Sequence, residues 1–287
     1  MDSKPDNNRG GTGTLKTIEL VIKIGSMALI QPEDGAIDYN IFQRLGDDLR
    51  PGMALVTSGA TEIGRLDYLH RIGHELNGDI EQDKTDYASQ GQIVLMDNYR
   101  KFVHPEYGVR QLLVEHTHFN DAVKRDHILR FLQRAAAQEC IPIINYNDPV
   151  SDEENRKMEL SGRRGKGEHV VECVDNDETA AVIAALLKAK TLILLTATEG
   201  IYLDVKDPST LVREVFATNL DDLREKIAQL RTHCRGASRK GAGGADAKLA
   251  YALRAVESGS HVIIGHARHH IADLVSGKIP CTHIGLQ

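Results

Sequence analysis

The sequence predicts an α/β fold: a three-layer αβα sandwich around a mainly parallel sheet. Three observations carry that expectation. Six short apolar runs have the length of strands, stretches of helical periodicity lie between them, and small or polar turns follow them.

In chain order the strand candidates are "IELVIKI" (18–24), "MALVT" (53–57), "VRQLLVE" (109–115), "IPIIN" (141–145), "TLILLT" (191–196) and "HVIIG" (261–265). Most are almost continuously apolar, as strands covered on both faces must be. Helical periodicity marks "ILRFLQRAAAQE" (128–139), "DETAAVIAALLKAK" (177–190) and "ADAKLAYALRAVES" (245–258). Ligands of such sheets sit beyond the carboxyl ends of the strands. The loops to search are therefore "KIGSM" (23–27), "TSGATEIG" (57–64), "NYNDPV" (145–150) and "TATEGIY" (196–202), with "GAGGADAK" (241–248) opening a late helix.

One segment breaks the alternation. Residues 151–173 are highly charged and predict a projecting hairpin or lid. Its "GRRGKG" centre reads as a solvated turn, or as a place where Arg163, Arg164 or Lys166 closes over an anion or meets another subunit. A boundary near 174 divides the chain into a first lobe, 17–173, and a second, 174–287. Residues 1–16 read as a loose polar tail, without the apolar core of a secretory leader.

The 287 residues carry 41% apolar and 26% charged side chains, ordinary for a soluble globular protein. A net charge of −6 gives no field to recruit nucleic acid or an acidic membrane. Trp is absent and aromatics make up 5%, which disfavours base-stacking platforms. No apolar stretch approaches the ~18 residues of a membrane span. Cys140, Cys173, Cys234 and Cys281 form no CxxC pair, which points to reduced thiols in a cytoplasm, with Cys140 and Cys173 packing as small apolar residues. The histidines of "EHTH" (115–118) and "HARHH" (266–270) lack the i, i+4 spacing of a helical zinc site.

The loops contain neither a GxxxxGK[ST] P-loop nor a GxGxxG fingerprint after a strand, nor a GxSxG elbow. They do contain glycine turns near Gly25 and near Gly241, Gly243 and Gly244, whose backbone N–H groups can approach an anion closely. Lys23 ends a strand and Lys248 falls in the first turn of a helix. Lys23 could simply snorkel. The two lysines, from opposite halves of the chain, could instead clamp a transferring phosphoryl group, a reaction that asks chiefly for alignment and charge neutralisation. Asp148, Asp175 and Asp177 would then hold Mg²⁺ through water or orient the lysines. Asp148 before Pro149 also suits an Asx-turn. In "VDNDETAAV" (174–182) the acids equally fit a helix cap and its first turn.

Taken in order, "VIKIGS", "LVTSGA", "SQGQ", "IPIINYNDPV", "VDNDETAA", "LILLTATEGIY" and "GAGGADAKL" resemble the amino acid kinase family, and within it the glutamate 5-kinases. The resemblance runs from about residue 18 to 285. It implies an amino-terminal lobe for the amino acid, a carboxyl-terminal lobe for ATP, and Mg²⁺- and ATP-dependent phosphorylation of the L-glutamate side-chain carboxylate to glutamyl 5-phosphate, the first step of proline biosynthesis. Carried over by position, Lys23 and Lys248 stabilise the phosphoryl group and Asp177 organises them. Ser58, Gly59, Asp148 and Asn176 bind the amino acid. Lys23, Gly25, Ser26, Thr196, Ala197, Ala242, Gly243, Gly244 and Lys248 bind nucleotide. The resemblance further implies a homodimer or homotetramer and proline as a feedback inhibitor.

There are departures. Thr196-Ala197 stands where the family has Thr-Asp, Val174 where it has Gly, and Ala242 and Ala245 where Thr and Met are usual. Residues 151–173 are longer than the family pattern. The sequence ends soon after "CTHIG", so the RNA-binding-like carboxyl-terminal domain of many glutamate 5-kinases is expected to be missing. These departures keep two other readings open: a sister kinase for another small carboxylate, and a homologue that senses nucleotide or amino acid without turnover.

Overall fold

A computed structural model describes residues 17–31, 33, 35–151, 153–165, 170–173, 175–234 and 244–287. The amino-terminal tail (1–16), Lys166, Val174, Gly241, Ala242 and Gly243 lie outside the described residues.

Eight strands form one sheet. They are β1 (Leu20–Ile24), β2 (Met53–Val56), β3 (Gly108–Val114), β4 (Cys140–Tyr146), β5 (Thr191–Thr196), β8 (Glu214–Ala217), β9 (His261–His266) and β10 (Thr282–Leu286); β6 (Ile201–Tyr202) and β7 (Leu211–Val212) pair separately. The sheet order is β3-β4-β2-β1-β5-β9-β10-β8, parallel throughout except where β10 runs against β9. The helices are α1 (Tyr39–Asp48), α2 (Ala60–Ile72), α3 (Ile80–Phe102), α4 (His116–Asn120), α5 (Ala122–Ala137), α6 (Glu153–Arg164), α7 (Asn176–Leu187), α8 (Leu220–Cys234), α9 (Ala245–Glu257) and α10 (Ile271–Val275).

The period-two alternation of each strand sends consecutive aliphatics to opposite faces. Val21, Val56, Leu192 and Ile264 join the apolar layer that includes Leu132, Ile183, Leu223 and Leu249, from α5, α7, α8 and α9. Ile22, Leu55, Ile193 and Ile263 join the layer with Phe42, Ile63, Leu95 and Leu274, from α1, α2, α3 and α10. The result is the expected αβα sandwich.

The six expected strands are present. The short strands "EVFA", at the sheet edge, and "THIGL", between it and β9, are additional, as are α1, α2 and α3. The charged segment after β4, expected as a projecting hairpin or lid, forms no hairpin over Glu153–Arg164, which is helical. Leu160 is buried, and Arg163 donates from Nη1 to the Asn120 carbonyl at 3.2 Å, so α6 packs back on the body. Arg164 pairs with Glu172.

Helices α2 and α3 approach to backbone contact. A Cβ on Gly91 would strike the Ala60 carbonyl, and one on Gly64 the Tyr87 carbonyl. The glycine of "SQGQ" is thus a packing requirement, and it fixes the start of α2 beside the sheet edge.

Candidate active site

Strand order reverses between β1 and β5: β2, β4 and β3 extend from β1 to one side, and β9, β10 and β8 from β5 to the other. A crevice opens at such a switch point, beyond the carboxyl ends of the strands. Here it is a cleft of about 580 Å³.

At its floor stands one carboxylate between two ammoniums. Lys23 Nζ lies 2.7 Å from Asp177 Oδ1, and Lys248 Nζ donates to Asp177 Oδ2 at 3.0 Å. Lys23 comes from the end of β1, Asp177 from the first turn of α7 and Lys248 from the first turn of α9. Only 1% of the Asp177 side chain is exposed, against 8% for Lys23 and 16% for Lys248. Burial alone would push the Asp177 carboxyl up, but the two lysines outweigh it and hold it below the ordinary carboxylate range. The bridge orients both ammoniums at the floor of the cleft.

The acids of "VDND" divide the work. Asp175 is the helix cap, accepting the Glu178 N–H at 2.9 Å, and burial pushes its carboxyl above the usual range. Asn176 belongs to a chain of side-chain amides. Its Nδ2 donates to Asn145 Oδ1 at 3.0 Å, Asn145 Nδ2 donates to Gln92 Oε1 at 2.8 Å, and Gln92 Nε2 donates to Gln111 Oε1 at 3.1 Å. Asn176 Oδ1 also accepts the Tyr146 N–H at 3.2 Å. With Gln92 and Asn145 buried and joined this way, Asn176 is held in one orientation.

Ser58 and Gly59 form the turn from β2 into α2, with Gly59 in the left-handed region at φ 97°, and both line the cleft. Gly25, Ser26, Asp148, Asn176, Thr196 and Ala197 line it too. Burial, with the charge of Glu62 second, raises the Asp148 carboxyl to about 6. Thr196 Oγ1 donates to the Thr198 carbonyl at 2.8 Å and accepts its N–H at 3.0 Å, closing the turn after β5. Gly244 caps α9 through its backbone, accepting the Lys248 N–H at 3.1 Å, and is not among the residues lining the cleft. Sequence reasoning missed three side chains here. Glu62 and Asn145 face the cleft, and Gln92 supports it from behind.

Mg²⁺ takes oxygen ligands and is commonly held by one or two carboxylates together with substrate phosphates. Asp175 fits that role, since it lines the cleft beside the bridge. No group of three or more metal-ligating side chains occurs among the described residues. The histidines of the two motifs serve structure: His118 Nδ1 accepts the Glu115 N–H at 2.9 Å, and His269 and His270 contact Glu199 and Asp48. Cys140, Cys173 and Cys281 are free and buried, and burial drives the Cys173 thiol up to about 12. No helix among the described residues is long and apolar enough to cross a membrane.

The family model described as "Amino acid kinase family" matches residues 19–266. A glutamate 5-kinase of Streptococcus suis (strain 05ZYH33) is 30% identical over 267 residues, covering 90% of this chain and 67% of that protein. A glutamate 5-kinase of Listeria monocytogenes serotype 4a (strain HCC23) is 30% identical over 258 residues, covering 87% and 86%. Among solved structures, a carbamate kinase from Giardia lamblia superposes with a TM-score of 0.59 at 13% identity, covering 96% of this chain and all of that one. A UMP kinase from Ureaplasma parvum gives 0.52 at 12%, covering 93% and 98%. At such identities the structural likeness speaks for the fold.

Proposed function

The chain belongs to the amino acid kinase family, and from that premise we propose that it transfers the γ-phosphoryl group of ATP to the side-chain carboxylate of L-glutamate. The observation that carries this reading is the Lys23–Asp177–Lys248 bridge, set between the turn at Ser58 and the turn at Thr196 in one cleft. The glutamate 5-kinase relatives supply the acceptor.

A glutamate side chain titrates near ~4.3, so at neutral pH the nucleophile is already an anion and no general base is required. A carboxylate oxygen forms the new bond to the γ-phosphorus while the bond to the β,γ-bridging oxygen breaks, and ADP leaves with that electron pair. Lys23 and Lys248 neutralise the charge on the phosphoryl oxygens in flight. Asp177, buried beneath them, fixes their separation and so pre-organises the stabilisation. Ser58, the Gly59 turn, Asp148 and Asn176 hold the amino acid, and alignment of the two substrates supplies much of the rest. Gly25, Ser26, Thr196, Ala197 and the 242–248 segment border the nucleotide. Mg²⁺, held by Asp175 and the phosphates, would supply further charge neutralisation.

The same reading divides the chain into an acceptor lobe (17–173), with 151–173 as its lid, and a nucleotide lobe (174–287). It also carries cytoplasmic location, homodimeric or homotetrameric assembly and inhibition by proline. Ala197, exposed beside the cleft where a carboxylate would contact nucleotide, favours a non-catalytic sensor as the second reading.

Hydroxylamine trapping tests both. With Mg²⁺ and ATP, hydroxamate is expected from glutamate, with little from aspartate, N-acetylglutamate or a no-acceptor control. Hydroxamate from another acceptor with glutamate inert overturns the acceptor assignment. No hydroxamate from any acceptor, in protein that still binds ATP, favours the sensor.

A further inference from the structure

Gly59 stands at φ 97° and ψ 3°, a left-handed conformation that glycine adopts about as readily as its mirror image. Reversal of the Ser58–Gly59 peptide, which exchanges the directions of its carbonyl and its N–H through a change in the Gly59 φ, therefore meets no bar from a Cβ. Another contact must decide which end of this peptide faces the cleft that both residues line.

That contact is buried. Thr57 Oγ1 donates to the Ser58 carbonyl at 3.0 Å, and the same oxygen lies 2.6 Å from the hydroxyl of Tyr99, on α3. Thr57 has one hydroxyl hydrogen and a carbonyl can only accept, so that hydrogen is committed to Ser58 and Tyr99 donates to Thr57. Burial pushes the Tyr99 phenol above its usual range, which keeps the donated proton on the phenol. The ring is 1% exposed and packs edge-on against Phe42, with centroids 5.0 Å apart.

The relay sets the peptide's direction. Thr57 is fully buried and does not line the cleft, so the Ser58 carbonyl is turned into the body of the protein. The described residues contain no cis peptide bond, and a trans peptide holds its N–H opposite its carbonyl. The Gly59 N–H is thereby turned towards the cleft, and among the described residues no group accepts from it. A carbonyl that accepts a hydrogen bond also makes the N–H of its own peptide a stronger donor.

A buried Tyr–Thr pair ordinarily does no more than satisfy two hydroxyls. Here the second bond of the pair ends on a peptide of the cleft. We propose that Tyr99 is a positioning residue: acting through Thr57, it locks the Ser58–Gly59 peptide with its N–H towards the anionic acceptor and its carbonyl away from it. In the reversed peptide a carbonyl oxygen would face the acceptor, and two negative ends would meet. The proposal rests on the reading of Ser58 and Gly59 as part of the glutamate site.

Steady-state kinetics of full-chain variants test it. Tyr99→Phe keeps the ring and removes the donor, whereas Thr57→Val keeps the shape and removes the lock itself. Each is expected to raise the KM for glutamate about three- to tenfold, the worth of one neutral hydrogen bond, with the KM for ATP within about twofold. Thr57→Ser, which keeps the hydroxyl, should restore most of the loss. Both substitutions break one relay, so the double variant should lose little beyond Thr57→Val alone. Should Thr57→Val fail to fold, Tyr99→Phe set against Thr57→Ser decides the question. A pair that served packing only would lower the urea midpoint and leave both Michaelis constants at their wild-type values. That result, an equal rise in both constants, or full additivity in the double variant overturns the lock, while hydroxamate trapped from glutamate leaves the acceptor assignment standing. A wild-type protein that neither binds glutamate nor gives hydroxamate overturns both.

Discussion

Replacing Asp177 with Asn keeps shape and removes the charge between two buried ammoniums. Breaking a buried ion pair by deleting one partner typically costs about 3–5 kcal/mol, because the other charge is left uncompensated. Here one carboxylate answers two cations, at 2.7 and 3.0 Å, with 1% of its side chain exposed. The upper half of that range, about 4–5 kcal/mol, is therefore expected. An unfolding entropy of about 2.1 cal/mol/K per residue converts this, for the full chain, into a Tm lower by about 7–8 °C at pH 7. The sign with pH follows from linkage. In the wild type the Asp177 carboxyl is depressed by folding, so its contribution is complete above the unfolded value and is lost as pH falls through the folded one. Asp177→Asn has no carboxyl to protonate there, so the wild type loses its advantage and the gap narrows as pH falls below the ordinary carboxylate range. Scanning calorimetry across that range is the assay, with hydroxamate formation expected to fall by about 10²–10³. An Asn variant as stable as the wild type at pH 7, or a gap that stays constant as pH falls through the acid limb, refutes the reasoning.

Lys23→Ala and Lys248→Ala should each lower kcat by about 10²–10³ with the KM for glutamate within about threefold, and the double variant should lose much less than the product, since both act on one phosphoryl group. Full turnover in either single variant removes its assigned role. Gly91→Ala forces a Cβ against the Ala60 carbonyl and should cost at least about 1–3 kcal/mol, read as a lower urea midpoint; an unshifted midpoint would show that α2 and α3 can part. The KM for glutamate should rise about tenfold per unit as pH falls below about 6, and Asp148→Asn should flatten that limb while raising KM at pH 8. A pH-independent KM in the wild type from 5 to 8 contradicts the role of Asp148.

The central strands were legible because burial on both faces writes them as unbroken aliphatic runs: Val21 and Ile22 must both be apolar, since each faces a helix layer. The strands β8 and β10 were not, since "EVFA" and "THIGL" offer only two or three large apolar or aromatic residues in four or five positions, with polar residues at their starts. Residues 153–164 are too polar for a core-facing pattern, and α6 is held instead by one buried leucine and by arginine bonds to distant carbonyls. In the site, the lysines betrayed themselves by standing at the end of a strand and the start of a helix. "VDND" was ambiguous for a physical reason: cap and bridge ask for the same residue type, and only the fold assigns the cap to Asp175 and the bridge to Asp177. Glu62 was hidden by the same coincidence, an acid in a first helical turn needing no further explanation until Asp148 is brought near it.

Gln92 shows how a motif can matter to a cleft it does not enter. It is 8% exposed and does not line the cleft, yet it closes the path from Gln111 through Asn145 to Asn176, which does. Gln92→Leu has similar bulk and strands the buried Asn145 amide, a loss of about 1–3 kcal/mol for a buried group left unpaired. Were the chain only mortar, that loss would appear in the urea midpoint and nowhere else. If it orients Asn176, the freed amide must be re-ordered on each binding event, at about 1 kcal/mol, so the KM for glutamate should also rise about three- to tenfold with the KM for ATP unchanged. Parallel shifts in both Michaelis constants would point to general loosening, and an unchanged KM for glutamate in a destabilised protein would reduce "SQGQ" to a packing motif.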